Sequence, residues 1–250
     1  TILKRMWNSS SNEGVITLTS VQGCRIENLQ IDGNNTTYAA SYNQGIFLVS
    51  SSNNTITGNT CNNNDSSGII LYSSSNNTVT GNTCNDNYGI HLSSSTNNTI
   101  TGNTCNNNDS SGIFLYSSTN NTITGNTCND NSVNGIYLLS STNNTITGNT
   151  CNNNSNDGIC LYSSSNDNTI TDNTCNNNSN DGICLYYSND STITGNTCNN
   201  NDSSGIVLSY SSDNTVTGNT CNNNDISGIY LDASSNNTIT GNTCIRGIGT

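Results

Sequence analysis

The side chains with chemical potential in this 250-residue sequence are its twelve cysteines and its aspartates. Nine of the cysteines (Cys61, Cys84, Cys105, Cys128, Cys151, Cys175, Cys198, Cys221 and Cys244) are spaced 23, 21, 23, 23, 24, 23, 23 and 23 residues apart. Cys160 and Cys184 share a second phase, and Cys24 precedes both. Thiols in such files can pair, fill space as small hydrophobes, or ligate a metal. A structural metal site needs three or four ligands converging on a point, whereas one ligand per repeat spreads them along a line. The single histidine is His91. No metal is therefore expected from the cysteine file, and no cofactor.

The aspartates also keep a fixed phase, with Asp65, Asp109, Asp202 and Asp225 in "NNND" stretches, and Asp157 and Asp181 in "NSNDG". Asp202 with Asp225, or Asp157 with Asp181, are candidates to hold Ca²⁺ between neighbouring repeats, since hard cations take oxygen ligands. The plainer reading is a solvated acidic edge. Polysaccharide lyases use a cationic base, and glycosidases use two carboxylates at a set separation. Positions 26 to 245 contain no Lys or Arg, so the usual lyase base is missing and no enzyme is expected. A formal net charge of -12 argues against nucleic acid and anionic membranes as partners. No apolar run approaches the roughly 18 residues of a membrane span.

The elements that position these residues follow from the repeat. "NNTITGNTCNNNDSSGIILYSSS" occupies residues 53–75 and begins again at Asn76. Low hydrophobicity with abundant Asn, Ser, Thr and Gly would ordinarily mean disorder, but apolar residues at fixed offsets in every repeat overturn that expectation. "TIT" and "GIILY" alternate with the period of short strands, and the unit has no 3.6-residue stripe. Short strands joined by Asn, Gly and Ser corners, repeating at about 23 residues, describe the rungs of a parallel β-helix. The expected fold is all-β: a single-stranded right-handed solenoid of about nine to ten rungs, with an N-terminal cap and irregular first rung at 1–27 and the repeat domain at 28–250.

Stacked rungs put equivalent residues above one another at about 4.8 Å. Three aliphatic files are expected inside. They are Ile31, Ile56, Val79, Ile100, Ile123, Ile146, Ile170, Ile193, Val216 and Ile239; Ile46 through Ile229; and Leu48 through Leu231. Two asparagine files are expected to form ladders, Asn34 to Asn242 two residues before the cysteine slot and Asn64 to Asn224 three residues after it. In "TCN" the cysteine points inward, as filler or bridged to an adjacent rung. An odd file leaves at least one member unpaired. Cys160 and Cys184 lie at an outward slot in consecutive rungs, and a surface disulfide between them is expected. Cys24 is either a free thiol or a link to another chain. "NNT" and "NDS" fit the N-glycosylation pattern at Asn53, Asn64 and their equivalents.

"NNTITGNT" followed by "GIILYSSSNNT" resembles the parallel β-helix repeat of NosD-like and carbohydrate-binding or sugar-hydrolase surface proteins, common in archaeal envelopes. The resemblance covers about residues 28 to 244 and implies a pectin-lyase-like coil. Cysteine departs from that family, whose slot is usually aliphatic. NosD-like proteins are associated with copper-enzyme maturation, but no copper motif accompanies the repeat. The cysteines also resemble those of sheath proteins around some methanogen filaments.

One outward file is apolar: Phe47, Ile70, His91, Phe114, Tyr137, Cys160, Cys184, Val207 and Tyr230, flanked by Tyr72, Tyr116, Tyr162 and Tyr186. An exposed stripe of this kind marks an interface, a sugar-stacking platform or a surface covered by another segment. Phe47, Ile70, Phe114, Tyr137, Val207 and Tyr230 are the candidate interface. Ile2, Leu3, Met6 and Trp7 are expected to cap the start, and "CIRGIGT" shows no cap, so the chain continues or stacks on another subunit. It opens at Thr1 without an initiator Met, as a processed or partial chain would. Two functions follow. The first is a structural cell-envelope protein at the cell surface that self-assembles into an extracellular layer, sheath or filament. The alternative is a carbohydrate-binding or polysaccharide-processing surface protein with glycans as partners.

Overall fold

The structure is a computed structural model that describes residues 1–8, 11–39 and 42–246. Strands β1 (Ile2–Lys4), β2 (Glu13–Thr19), β3 (Arg25–Glu27) and β4 (Gln30–Asp32) begin three parallel sheets. One ten-stranded sheet runs from β2 to Ser227–Asp232 and a second from β3 to Thr238–Thr240. The third holds β1, β4 and Thr60–Asn62, and continues as a file of single bridges from Thr60 to Thr243. Every pairing is parallel and in register, rung upon rung. The expected boundary at residue 28 falls after β2 and β3, which already belong to the two long sheets.

Why so polar a sequence folds this way is visible at the corners. Ser73, Asn76, Gly81 and Asp86 all have φ between 49° and 62°. L-residues tolerate this left-handed region poorly, Asn, Asp and Gly best. A rung that turns at four such points needs those residues at those offsets. At one corner Asp172, φ 55°, stands where Gly148 and Gly195 occupy the neighbouring rungs.

Between corners, alternation sends one residue in two inward. Ile113 and Leu115 are fully buried, and the repeat-phase cysteines from Cys61 to Cys221, without Cys160 and Cys184, line the same core. Burial of each Ile or Leu contributes about 1.5–3 kcal/mol. The aliphatic files are as expected with one correction. Ile26, not Ile31, pairs with Ile56; Ile31 pairs with Cys61 and heads the cysteine file. Asn34 accordingly belongs with Asn64. The first rung is five residues out of the expected phase, because its irregular sequence has no cysteine to mark the slot.

Asparagine ladders run through the interior. From Asn59 to Asn242, each Nδ2 donates to Oδ1 of the next rung at 2.9–3.0 Å, and each inner Asn also takes up backbone groups of its neighbours. A second ladder runs from Asn108 to Asn224 at 3.0–3.1 Å. A third, from Asn54 to Asn168 at 3.1–3.2 Å, was not anticipated, nor was the buried serine file Ser51, Ser74, Ser95, Ser118 and Ser141. Asn64 is buried and Asn53 is exposed, so of these two only Asn53 presents its sequon to solvent.

The start is plugged differently from expectation. Ile2, Met6 and Trp7 are exposed, while Arg5 is fully buried and donates from Nη2 to the carbonyls of Glu13 and Gln44 at 3.0 and 2.9 Å. A guanidinium can satisfy several edge carbonyls at once, which an aliphatic plug cannot. At the other end, Leu231 and Ile239 are exposed on the last rung, and residues 247–250 of "CIRGIGT" lie outside the described residues.

Close approach of the rungs explains a second class of glycine. A Cβ on Gly158 would lie 2.6 Å from the Gly182 carbonyl oxygen and 2.7 Å from Cβ of Cys175. Both obstacles are fixed by the next rung. Gly158→Ala is therefore expected to destabilise the chain by about 2 kcal/mol, whereas Gly125→Asn, at φ 62° with open space around it, stays within about 0.5 kcal/mol. Urea denaturation midpoints of the two variants check the contrast.

Candidate functional site

The apolar outward file of the β2 sheet is not an exposed stripe, although Tyr72, Tyr116 and Tyr162 beside it are exposed. Phe47, Ile70, Cys160 and Val207 are buried, Phe114, Tyr137, His91 and Cys184 are half-buried, and of the expected interface residues only Tyr230 is exposed. In-register stacking is the cause. His91 and Phe114 lie 4.8 Å apart and Phe114 and Tyr137 5.1 Å apart, nearly parallel, so each ring covers the face of the next. His91, expected to point outward into solvent, has its Nε2 enclosed without a hydrogen-bond partner. Burial holds the imidazole down at about 4.

The stack stops at Tyr137. The next two residues in the file are Cys160 and Cys184, too small to cover a phenol ring. Because the rings repeat at the rung spacing, their normals run near the coil axis, and the far face of Tyr137 looks over the two thiols. The result is a cleft of about 430 Å³ bounded by Tyr137, Tyr162, Tyr186, Val133 and Asn156, with Asp157, Cys160 and Cys184 in its lining. Tyr162 and Tyr186 are themselves stacked at 5.1 Å and form the opposite wall. Burial, with Cys160 next, pushes the Tyr137 hydroxyl up to about 12.

Asp157 is placed by the corner before its strand. Only 3% of it is accessible, so it is not part of a solvated edge. Its Oδ1 accepts from Asn180 Nδ2 at 2.8 Å and from the Asp181 backbone N–H at 3.1 Å. Oδ2 accepts from Asn156 Nδ2 at 3.2 Å. Burial pushes its carboxyl up to about 6, against the lowering effect of the Asp181 N–H. Asp181 is buried too, and burial raises it as well. Together they belong to a file in which Asn134 and Ser204 occupy the adjoining rungs. The other calcium candidates, Asp202 and Asp225, are exposed.

All twelve cysteines are free thiols. Burial pushes Cys84, Cys128, Cys151, Cys175 and Cys198 up, whereas the contacts with Cys128 and Cys84 draw Cys105 down to about 5. Cys160 and Cys184 are in-register partners on adjacent strands, and Cys24 is exposed at the other end of the coil. The ligand atoms of Asp157, Cys160 and Cys184 all lie within 4.8 Å of one another. Sequence reasoning found both thiols but missed their convergence with Asp157. The available signal was an aspartate three residues before Cys160, on the same rung.

The family model for a right handed beta helix region matches residues 13–174, and that for the periplasmic copper-binding protein NosD matches residues 126–247. No match was found among curated proteins. Among solved structures, the A-module of the mannuronan C-5 epimerase AlgE6 of Azotobacter vinelandii superposes with a TM-score of 0.75 at 16% identity, over 100% of this chain and 81% of that one. The periplasmic alginate epimerase AlgG gives a TM-score of 0.69 at 17% identity, over 92% and 71%. A hyperthermoactive exopolygalacturonase from Thermotoga maritima gives 0.56 at 12% identity, over 76% and 55%. These neighbours overturn the expectation of a non-enzymatic coil, which rested on the absence of Lys and Arg from positions 26 to 245. The fold they share with this chain is one on which carbohydrate-active enzymes are built. As for copper, His91 has its ring nitrogen enclosed and Met6 lies on the first rung, away from the cleft, so among the described residues the soft donors gathered there are Cys160 and Cys184.

Proposed function

The chain belongs to the right-handed beta-helix family, and on that premise we propose that it is a carbohydrate-binding or carbohydrate-processing β-helix whose glycan lies in the cleft beside Tyr137. The observation that carries this reading is the free face of Tyr137, which the small residues after it leave open, opposite the Tyr162 and Tyr186 wall. A pyranose ring has one apolar face, and it stacks on an aromatic face while its hydroxyls reach polar groups at the rim. Asn134 and Asn156 supply such groups here. With a net charge of -12 and no cation between residues 26 and 245, the surface favours a neutral glycan over a polyuronate.

The comparisons support this carbohydrate reading more than the alternative of a self-assembling layer, sheath or filament. A location outside the cytoplasm accords with the match to a periplasmic family. Among the described residues, no helix is long and apolar enough to cross a membrane.

Binding to a panel of neutral and acidic polysaccharides tests the proposal, alongside assays for new reducing ends, unsaturated products and C-5 inversion. Tyr137→Ala is expected to weaken the bound glycan roughly 3- to 10-fold, the cost of one lost stacking contact. Tyr72→Ala, on an exposed ring away from the cleft, leaves binding unchanged. Equal binding by both variants, or binding of no polysaccharide in the panel, would remove the cleft from consideration.

A further inference from the structure

Two departures from the repeat coincide at one place. Where other rungs put His, Phe, Tyr, Ile or Val on the outer file, consecutive rungs put Cys160 and Cys184. Where Ser111 and Asn134 accept the backbone N–H of the following rung without charge, the Cys160 rung puts Asp157 and the Cys184 rung Asp181. The ladder does not require a carboxylate there, because neutral residues accept the same backbone hydrogen bond on the two preceding rungs.

We propose that Asp157 Oδ2, Cys160 Sγ and Cys184 Sγ form a binding site for a thiophilic divalent cation of the Zn²⁺ class, with the fourth coordination position open to the cleft. The three ligand atoms lie within 4.8 Å of one another across two in-register strands. Drawing them onto a tetrahedral ion, at about 2.3 Å to sulfur and 2.0 Å to oxygen, needs a contraction of about 1 Å. Two sulfur donors exclude Ca²⁺ and Mg²⁺, which take oxygen sets.

The surroundings are built for the role. Asn180 and the Asp181 N–H fix Oδ1, as outer partners orient ligating carboxylates, and Oδ2 carries only the 3.2 Å bond from Asn156 Nδ2. Asp157 is a buried carboxylate, yet the four cations of the chain are Lys4, Arg5, Arg25 and Arg246, none within the rungs that form the site. A divalent ion supplies the positive charge that this carboxylate lacks. Three protein ligands with one open position describe a site that exchanges water or substrate rather than a closed structural one. The proposal does not depend on the glycan reading, since the ion is tested without sugar.

The test uses the full chain, reduced and stripped with chelator, then titrated with Zn²⁺ against a chromophoric competitor. One Zn²⁺ per chain is expected, with release of the two thiol protons. Co²⁺ in its place is expected to give a sulfur-to-cobalt charge-transfer band. Cys184→Val copies the residue of the next rung, Val207, and so preserves packing; it is expected to abolish both signals. Asn180→Ala weakens binding roughly 10-fold, the usual cost of an outer partner, and Cys24→Ser changes nothing. Absence of tight binding, or binding that survives Cys184→Val, overturns the site. So does a Cys160–Cys184 disulfide in chain isolated without reductant. Rejection of Zn²⁺, with Cu⁺ held equally well by wild type and Asp157→Asn, overturns the ion assignment in favour of a two-thiolate copper site.

Discussion

Replacing Asn126 by alanine is expected to lower stability by about 3–6 kcal/mol, the sum of two or three buried groups left without partners at about 1–3 kcal/mol each. Asn126 Oδ1 accepts from both the backbone N–H and Nδ2 of Asn103 at 2.9 Å. Its Nδ2 donates to the Ile100 carbonyl at 2.9 Å and to Asn149 Oδ1 at 3.0 Å. The carboxamide is almost wholly inaccessible, so water does not replace it. One deletion therefore orphans the Ile100 carbonyl and the Asn103 N–H, leaves Asn149 Oδ1 with only the N–H of residue 126, and cuts the ladder. Leucine should do no better, because filling the space restores none of the hydrogen bonds. Urea denaturation at constant m-value measures the loss. A shift in ΔG below about 1 kcal/mol would mean that the ladder relaxes around the gap, and the interior asparagines would lose their structural role.

Acidification from pH 7 to 4 is expected to destabilise the chain through His91 by about 2–3 kcal/mol, and His91→Phe should abolish that part of the loss. The folded imidazole is held at about 4 by burial, while in the unfolded chain it titrates near 6.5. Below 6.5 the unfolded chain takes up a proton that the folded chain refuses. Stability is thus intact above that value and is lost progressively as the pH falls towards 4. Asp157, raised to about 6, titrates in the same window with the opposite sign: between its unfolded value near 4 and 6 it favours folding as the pH falls. The readout is therefore the difference between wild type and variant. Phenylalanine suits the site, since Phe114 stacks there one rung on. Parallel pH profiles for the two chains would show that His91 is solvated and titrates normally.

The coil itself was legible because each rung repeats the same constraints. "TIT" and "GI-L" announce strands by alternation, and the recurring Asn and Gly mark corners that demand positive φ. Register could be counted from cysteine to cysteine, and it failed only where that mark was missing, at Ile26 and Ile31. The third asparagine ladder was hidden by its setting. Asn54 and its equivalents follow another Asn in "NNT", and sequence alone does not say which of two adjacent residues in a corner turns inward.

What the sequence determined by itself is the stacking: a residue repeated at one phase must lie above its equivalents when parallel strands pair in register, and the contents of each file follow. Which outward files are covered was decided by the tertiary structure. Strand alternation fixes the face a side chain leaves from, but accessibility depends on the size of residues one rung away and on how high the adjoining corner stands. Phe47 is covered, Tyr137 is open on one side, and Asp157 turns from its corner to meet Cys160 and Cys184. That meeting joins residues from two rungs across the path of the chain, a proximity set by the height and turn of the coil.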